Sequence, residues 1–313
     1  MSGEVRHLLG VIGLAAVTTI VVSGDAQNMK REASLFFARA DLVTLPVTVT
    51  NKRDEYVADL DARHFQIFEN GRPQSLEFFQ STAAPLTLML VLDTSASMKS
   101  TLPAIIQGAV GFIHDLDPDD VMSVIGFNEH VRVLQEFTRN QDALERAIRG
   151  AEIGSSTSFY NAVYVALKEL ERADIGEATT PRRRVLIVLS DGADNASLMP
   201  FEDVLETAAG TDIAIYAIRL RELLPVSDPS SDPSRFLLRR LTEDTGGRAF
   251  FPVTGRDVLR AFKAIRSELS HQYVLAYVST DRTRSPGFHQ LSVIVERPGA
   301  VARTRRGYFS SAR

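Results

Sequence analysis

The residues best placed to do chemistry are Asp93, Ser95 and Ser97, at alternate positions in Asp93-Thr94-Ser95-Ala96-Ser97. In extended backbone, alternate side chains share one face, so one carboxylate and two hydroxyls would converge on a single point. Hard oxygen donors of this kind suit a cation of the magnesium type. Aspartate and serine also favour turns and caps, which is the plainer reading of the same stretch.

The element that must position them is the run Leu86–Leu92, apolar at nearly every position. Such a run reads as a strand buried on both faces, as in a parallel sheet. Open α/β sheets place ligands beyond the carboxyl ends of their strands, where Asp93 stands. A second run, Val185–Leu189, ends in Ser190-Asp191-Gly192. Strand and helix patterns alternate between and beyond these runs. Val121–Phe127 and Ile213–Ile218 read as buried strands, and Val131–Leu134 as a short antiparallel edge strand. Pro103 can open a helix with Ile106, Ala109, Val110 and Ile113 inward. Helices are also expected over Asn140–Arg149, after Ser158 with Ala162, Val163, Ala166, Leu167 and Leu170 inward, and over Phe201–Ala209. Two more cover Arg235–Asp244, after a loop Leu223–Ser234, and a final stretch that Asp257 can cap.

The flanks are different. Leu42–Thr50, Phe65–Glu69 and Ser75–Phe79 alternate as strands, with Pro46 marking an edge or bulge and Asn70-Gly71 a hairpin turn. Strand patterns return at Tyr273–Val278, His289–Glu296 and Val301–Phe309. Neither flank has enough strands to stand alone. The expected fold class is therefore α/β, a doubly wound, mostly parallel Rossmann-like sheet, inserted in or flanked by a small β-sandwich built from both chain ends. The expected divisions are 1–26, a signal peptide or N-terminal anchor; 27–38, a linker; 39–84, the first part of the β-domain; 85–271, the α/β unit; and 272–313, the rest of the β-domain.

Composition narrows the function. In 313 residues, 44% hydrophobic content supplies a sizeable core, and a net charge of −4 argues against a general nucleic-acid binder. With no cysteine, disulfides and thiolate metal sites are excluded. Arg6 and His7 precede the uncharged run Leu8–Val22, followed by Ser23, Gly24 and Ala26. That is the pattern of a secretory signal, and the run is shorter than the ~20 residues of a membrane span. The histidines are scattered, and neither Gly-x-Ser-x-Gly nor His-Glu-x-x-His occurs. Arg182, Arg183 and Arg184 read as the solvated start of a strand, and Asp117, Asp119 and Asp120 as a solvated turn. Asp194 and Asn195 read as loop residues. Arg303, Arg305 and Arg306 read as exposed or paired with the acidic N-terminal strands.

Asp93-x-Ser95-x-Ser97 after a buried strand resembles the metal-ion-dependent adhesion site (MIDAS) of von Willebrand factor type A (VWA) domains. Gly154-Ser155-Ser156-Thr157-Ser158 before a helix, and the strand ending at Asp191, match the family's other two pieces in order. The resemblance covers roughly Pro85 to His271. A strand-rich leader and the closing Arg306-Gly307-Tyr308-Phe309 resemble the bacterial VWA-related proteins. The resemblance implies a metal site of Asp93, Ser95, Ser97, Thr157 and Asp191. Ser95, Ser97 and Thr157 would bind through neutral hydroxyls, and Asp93 and Asp191 directly or through water. It implies Mg2+, with Mn2+ or Ca2+ as alternatives, and a protein partner offering an Asp or Glu carboxylate. The plainer alternatives are Thr157 as a helix N-cap, with Ser155, Ser156 or Ser158 in its place, and Asp191-Gly192 as a turn. The expected role is a non-enzymatic adhesion or scaffold module, secreted or in the periplasm or cell envelope, touching a membrane only through an N-terminal anchor. Two other classes stay open. One is a metal-dependent hydrolase of the haloacid-dehalogenase type, although Ser95 stands where that chemistry wants a second aspartate. The other is an assembly protein with a vestigial metal site. The resemblance further implies that ligand binding shifts the last helix, which here runs almost directly into the strand at Tyr273.

Overall fold

A computed structural model describes residues 42–81, 84–173, 182–219, 232–281 and 287–310. The expected signal or anchor, the linker and most of the loop before Arg235 lie outside the described residues. Among the described residues, no helix is long and apolar enough to cross a membrane.

The central strand is β5 (Leu86–Asp93), buried at every position. Its even-numbered leucines Leu88, Leu90 and Leu92 enter one hydrophobic cluster, and Met89 and Val91 enter another. Burial on both faces is why the run lacks polar alternation. β5 pairs in parallel with β6 (Val121–Phe127) and with β8 (Arg183–Leu189). Beyond β8 come β9 (Ala214–Ile218) and β10 (Ala249–Phe250), also parallel, and beyond β6 the antiparallel edge strand β7 (Val131–Thr138). The order is β10-β9-β8-β5-β6-β7. Helices α1 (Leu102–His114), α2 (Gln141–Arg149) and α6 (Gly255–Ser270) cover one face; α3 (Phe159–Arg172), α4 (Phe201–Ala209) and α5 (Pro233–Asp244) cover the other. This is the doubly wound α/β architecture expected from the sequence.

Five details of this unit differ from expectation. The edge strand β7 runs on to Thr138. The inward face of α1 is rotated: Ile105 and Phe112 are buried, whereas Ile106 and Val110 are only partly so. The cause is Gly108, where an added Cβ would stand 2.6 Å from the Phe262 ring of α6. The N-cap of α6 is Thr254, with Asp257 completing a capping box from the N3 position. Arg182 is only partly solvated and Arg183 is not. Arg183 is buried and donates to Ala84 O and Gln272 Oε1, while Arg182 donates to Leu86 O, Thr87 Oγ1 and Asp119 O. Asp120 is likewise buried, accepting from Leu86 N at 2.8 Å and Asp117 N at 3.1 Å, so it fastens the start of β5.

Both chain ends contribute to two further four-stranded sheets, β13-β1-β11-β4 and β14-β12-β2-β3. These are β1 (Leu42–Thr50), β2 (Phe65–Glu69), β3 (Arg72–Gln74), β4 (Leu76–Gln80), β11 (Tyr273–Val278), β12 (Gly287–Val295), β13 (Val301–Arg303) and β14 (Gly307–Ser310). Their inner faces share one cluster containing Leu45, Val47, Phe65, Ile67, Leu275 and Leu291. Asn70 (φ 49°) and Gly71 (φ 74°) make the tight β2–β3 turn. The expected strand Ser75–Phe79 is β4, displaced by one residue, and an unanticipated β3 precedes it in the other sheet, the chain changing sheets at Ser75. The closing arginines turn to the α/β unit, not to the N-terminal strands. Arg303 donates to Gly246 O and Gly247 O and pairs with buried Glu268. Arg305 donates to Thr211 O at 2.9 Å, and Arg306 pairs with Glu243 and Asp244. Gly246 permits their approach, since a Cβ there would lie 2.7 Å from Arg305 N.

Candidate metal centre

Three loops at the carboxyl edge of the sheet, two leaving strands and one joining α2 to α3, are hydrogen-bonded to one another. The first follows β5. Asp93 is fully buried; its Oδ1 accepts from Ser95 N at 2.9 Å and its Oδ2 from Ser190 Oγ at 2.6 Å. Burial pushes the Asp93 carboxyl up to about 6, with the Asp191 charge adding to the rise and the Ser190 and Ser95 bonds opposing it. Ser95 Oγ and Ser97 Oγ lie 3.0 Å apart. The extended backbone expected through Ser97 is absent, for Ala96–Met98 form a short 3-10 turn that brings the two hydroxyls together.

The second loop leads into α3. Gly154 N donates to Thr94 O at 2.8 Å, and a Cβ at Gly154 would meet Asn128 at 2.5 Å. Ser158 holds the N-cap position of α3, and its hydroxyl is spent on Asn128 O at 2.7 Å. Thr157 is buried just before it, and its backbone is clamped. Its N–H donates to Asn195 Oδ1 at 2.9 Å, and its carbonyl accepts from the N–H groups of Asn195 and Ala196. Glu129 accepts from its own backbone N–H and from Ser155 N and Ser156 N, bonds that hold its carboxyl down at about 2.

The third loop follows β8. Asp191 Oδ1 accepts from Ala193 N at 2.9 Å, and Asp191 O accepts from Arg219 Nε at 2.7 Å. Arg219 pairs with Asp232 at 2.6 Å, and both side chains are buried. Gly192 adopts φ +77°, a left-handed turn that glycine takes without strain, and its N–H donates to Ser190 Oγ.

The five residues singled out by sequence therefore stand on three linked loops. Ser95 and Ser97 touch, and Asp93 bonds the Ser95 backbone. Thr157 and Asp191 make no hydrogen bond to the other three or to each other; Asn195 and Ser190 fasten their loops. Among the described residues, no three His, Cys, Asp or Glu side chains cluster as a metal site. The two carboxylates here are complemented by hydroxyls. That donor set suits a hard cation: oxygen ligands only, and a buried carboxyl beside a second acid whose ionisation a cation would favour. Sequence reasoning missed Ser190, Asn195, Asp194 and Ser197. Asp194 Oδ1 accepts from Tyr160 N and Ser197 Oγ, and Ser197 Oγ accepts from Asn161 N. The available signal was the density of Asp, Asn and Ser between Ser190 and Ser197, residue types that bond nearby backbone.

Residues 88–193 match the family model of the von Willebrand factor type A domain. This chain carries a VWA domain. A solved von Willebrand factor type A protein from Catenulispora acidiphila is 11% identical with a TM-score of 0.50, covering 87% of this chain and 74% of that one. The BatB protein of Bacteroides thetaiotaomicron is 16% identical with a TM-score of 0.46, covering 59% of this chain and 97% of that one. A UPF0353 protein of Mycolicibacterium paratuberculosis is 24% identical over 207 residues, 60% of this chain. The chain spans 62% of that relative's length. The three loops described above lie at the carboxyl edge of the VWA sheet.

Proposed function

We propose that the protein is a divalent-cation-dependent protein-binding module acting outside the cytoplasm. Asp93, Ser95, Ser97, Thr157 and Asp191 hold the cation, Mg2+ in preference to Mn2+ or Ca2+, and a partner supplies an Asp or Glu carboxylate. The observation that carries this reading is the donor set: three hydroxyls and two carboxylates on three loops fastened to each other. Bound there, a cation supplies a coordination position for an anionic oxygen. Neutral hydroxyls leave more of its charge for the partner than carboxylates would. The role of Ser190 is to hold Asp93 Oδ2, and that of Asn195 to hold the Thr157 backbone. In this reading the site acts by binding and not by turnover. A location in the envelope or beyond is supported by the signal-like Arg6–Ala26 stretch, and attachment to a membrane would be through that stretch alone.

The test is binding of a glutamate-bearing peptide and its glutamine analogue by fluorescence anisotropy, with MgCl2 and with EDTA. Binding confined to the glutamate peptide in MgCl2 supports the reading. Equal binding of both peptides, or indifference to EDTA, counts against it.

A further inference from the structure

The carboxyl edge of the sheet continues past the candidate metal centre to a cluster of unlike character. Arg235 lies over the Phe251 ring at 4.2 Å and Arg239 at 5.4 Å. Among the described residues, neither guanidinium has a carboxylate within salt-bridge distance, although two cations share one ring. Phe236 and Val253 beside them are 63% and 58% exposed. The topology puts this cluster on the same edge as the Asp93 loops. Phe251 follows the last residue of β10, which runs parallel to β9 and β8. Asp232 caps α5 at that edge and pairs with Arg219, which in turn holds the carbonyl of Asp191. In the strand order, β9 and β10 lie outside β8. At ~4.8 Å per strand, the Phe251 ring stands about 12 Å from the point between β5 and β8.

We propose that Arg235, Arg239 and Phe251 take a second carboxylate of an acidic protein segment whose first carboxylate faces the Asp93 loops. The inference rests on the function proposed above and extends it from one contact to two. An extended segment advances about 3.3 Å per residue, so the two acids stand about four residues apart. Two planar guanidiniums on an aromatic platform form a fork that suits a carboxylate. Exposed Phe236 supplies apolar contact next to the second acid.

The probes are labelled Gly-Ser peptides with one Glu, two adjacent Glu, or two Glu about four residues apart. They are titrated by anisotropy against the full chain in MgCl2. The spaced pair is expected to bind about fivefold tighter than the single Glu, and the adjacent pair to fall short of it. The Arg235→Gln/Arg239→Gln variant is expected to lose that gain and keep single-Glu affinity. Asp93→Ala is expected to weaken all three peptides. If the gain survives the double variant, or the adjacent pair equals the spaced one, the second contact is refuted and the metal-edge reading stands. If Asp93→Ala has no effect while the arginine variant does, the metal-edge reading falls and the two-point contact falls with it, leaving a single basic contact. No binding of any peptide overturns both. Phosphatidylglycerol vesicles bound through these arginines, with no peptide discriminated, would replace the protein partner with a membrane and refute the inference. Should the double variant melt early, Arg239→Gln, at the exposed position, is read in its place.

Discussion

Ser190 shows how one hydroxyl can decide the state of a buried acid. It donates to Asp93 Oδ2 at 2.6 Å and accepts from Gly192 N at 3.0 Å, so it links two loops across the edge of the sheet. Removing it leaves a buried carboxylate oxygen and a buried N–H without this partner. Ser190→Ala is expected to cost about 1–3 kcal/mol in urea unfolding. A loss within error of zero would mean that the two loops are held by other contacts. Asp93 and Ser95 were legible in the sequence because they are contiguous and follow an apolar run. Ser190 and Asn195 were not, because each acts on a residue distant in sequence, 97 positions away for Ser190–Asp93 and 38 for Asn195–Thr157. Pattern reading finds donors that lie close together and misses the groups that orient them.

At the scale of elements, the strands of the sheet were the most readable features. β5, β8 and β9 are buried on both faces and need apolar residues at nearly every position. Leu90→Ala, at the centre of β5, is expected to lower unfolding free energy by about 2–5 kcal/mol. Helix starts and faces were less readable. Asp257 looked like the cap of α6, yet Thr254 takes that role, because the reciprocal bonds of a capping box make either end plausible in sequence. Thr254→Ala is expected to cost about 1 kcal/mol, measured by thermal or urea unfolding. The rotated face of α1 depends on Gly108 receiving Phe262, a contact between helices that no periodicity encodes. β3 was not anticipated, because three residues after the Asn70-Gly71 turn, one of them Pro73, are too short a pattern to read as a strand.

For the whole molecule, the chain ends and the VWA unit are joined by a buried polar seam. Glu268 of α6 is 1% exposed and binds Tyr216 Oη and Arg303 at once. Gln272 binds Tyr216, Thr48 and Arg183, so β1, β9 and the start of β11 meet there. Burial and the Glu268 charge hold the Tyr216 hydroxyl well above its ordinary range, so it stays a donor. Breaking this seam from one side leaves a buried charge without its partner. Arg303→Ala is expected to destabilise the chain by about 3 kcal/mol in urea unfolding. It is also expected to raise hydrogen exchange across Ser267–Tyr277; unchanged exchange there would show that α6 and β11 are not held through this pair. Arg303 and Arg305 looked like surface charge because sequence cannot show that the Gly246, Gly247 and Thr211 carbonyls face them. The most direct test of the account is the melting temperature of wild type and Asp93→Ala titrated with MgCl2. A cation held at this edge predicts a rise in wild type that follows occupancy, about 2.7 kcal/mol at a hundredfold excess over Kd, reversal by EDTA, and no rise in Asp93→Ala. Equal responses of the two proteins, or no response of wild type at any concentration, would contradict it.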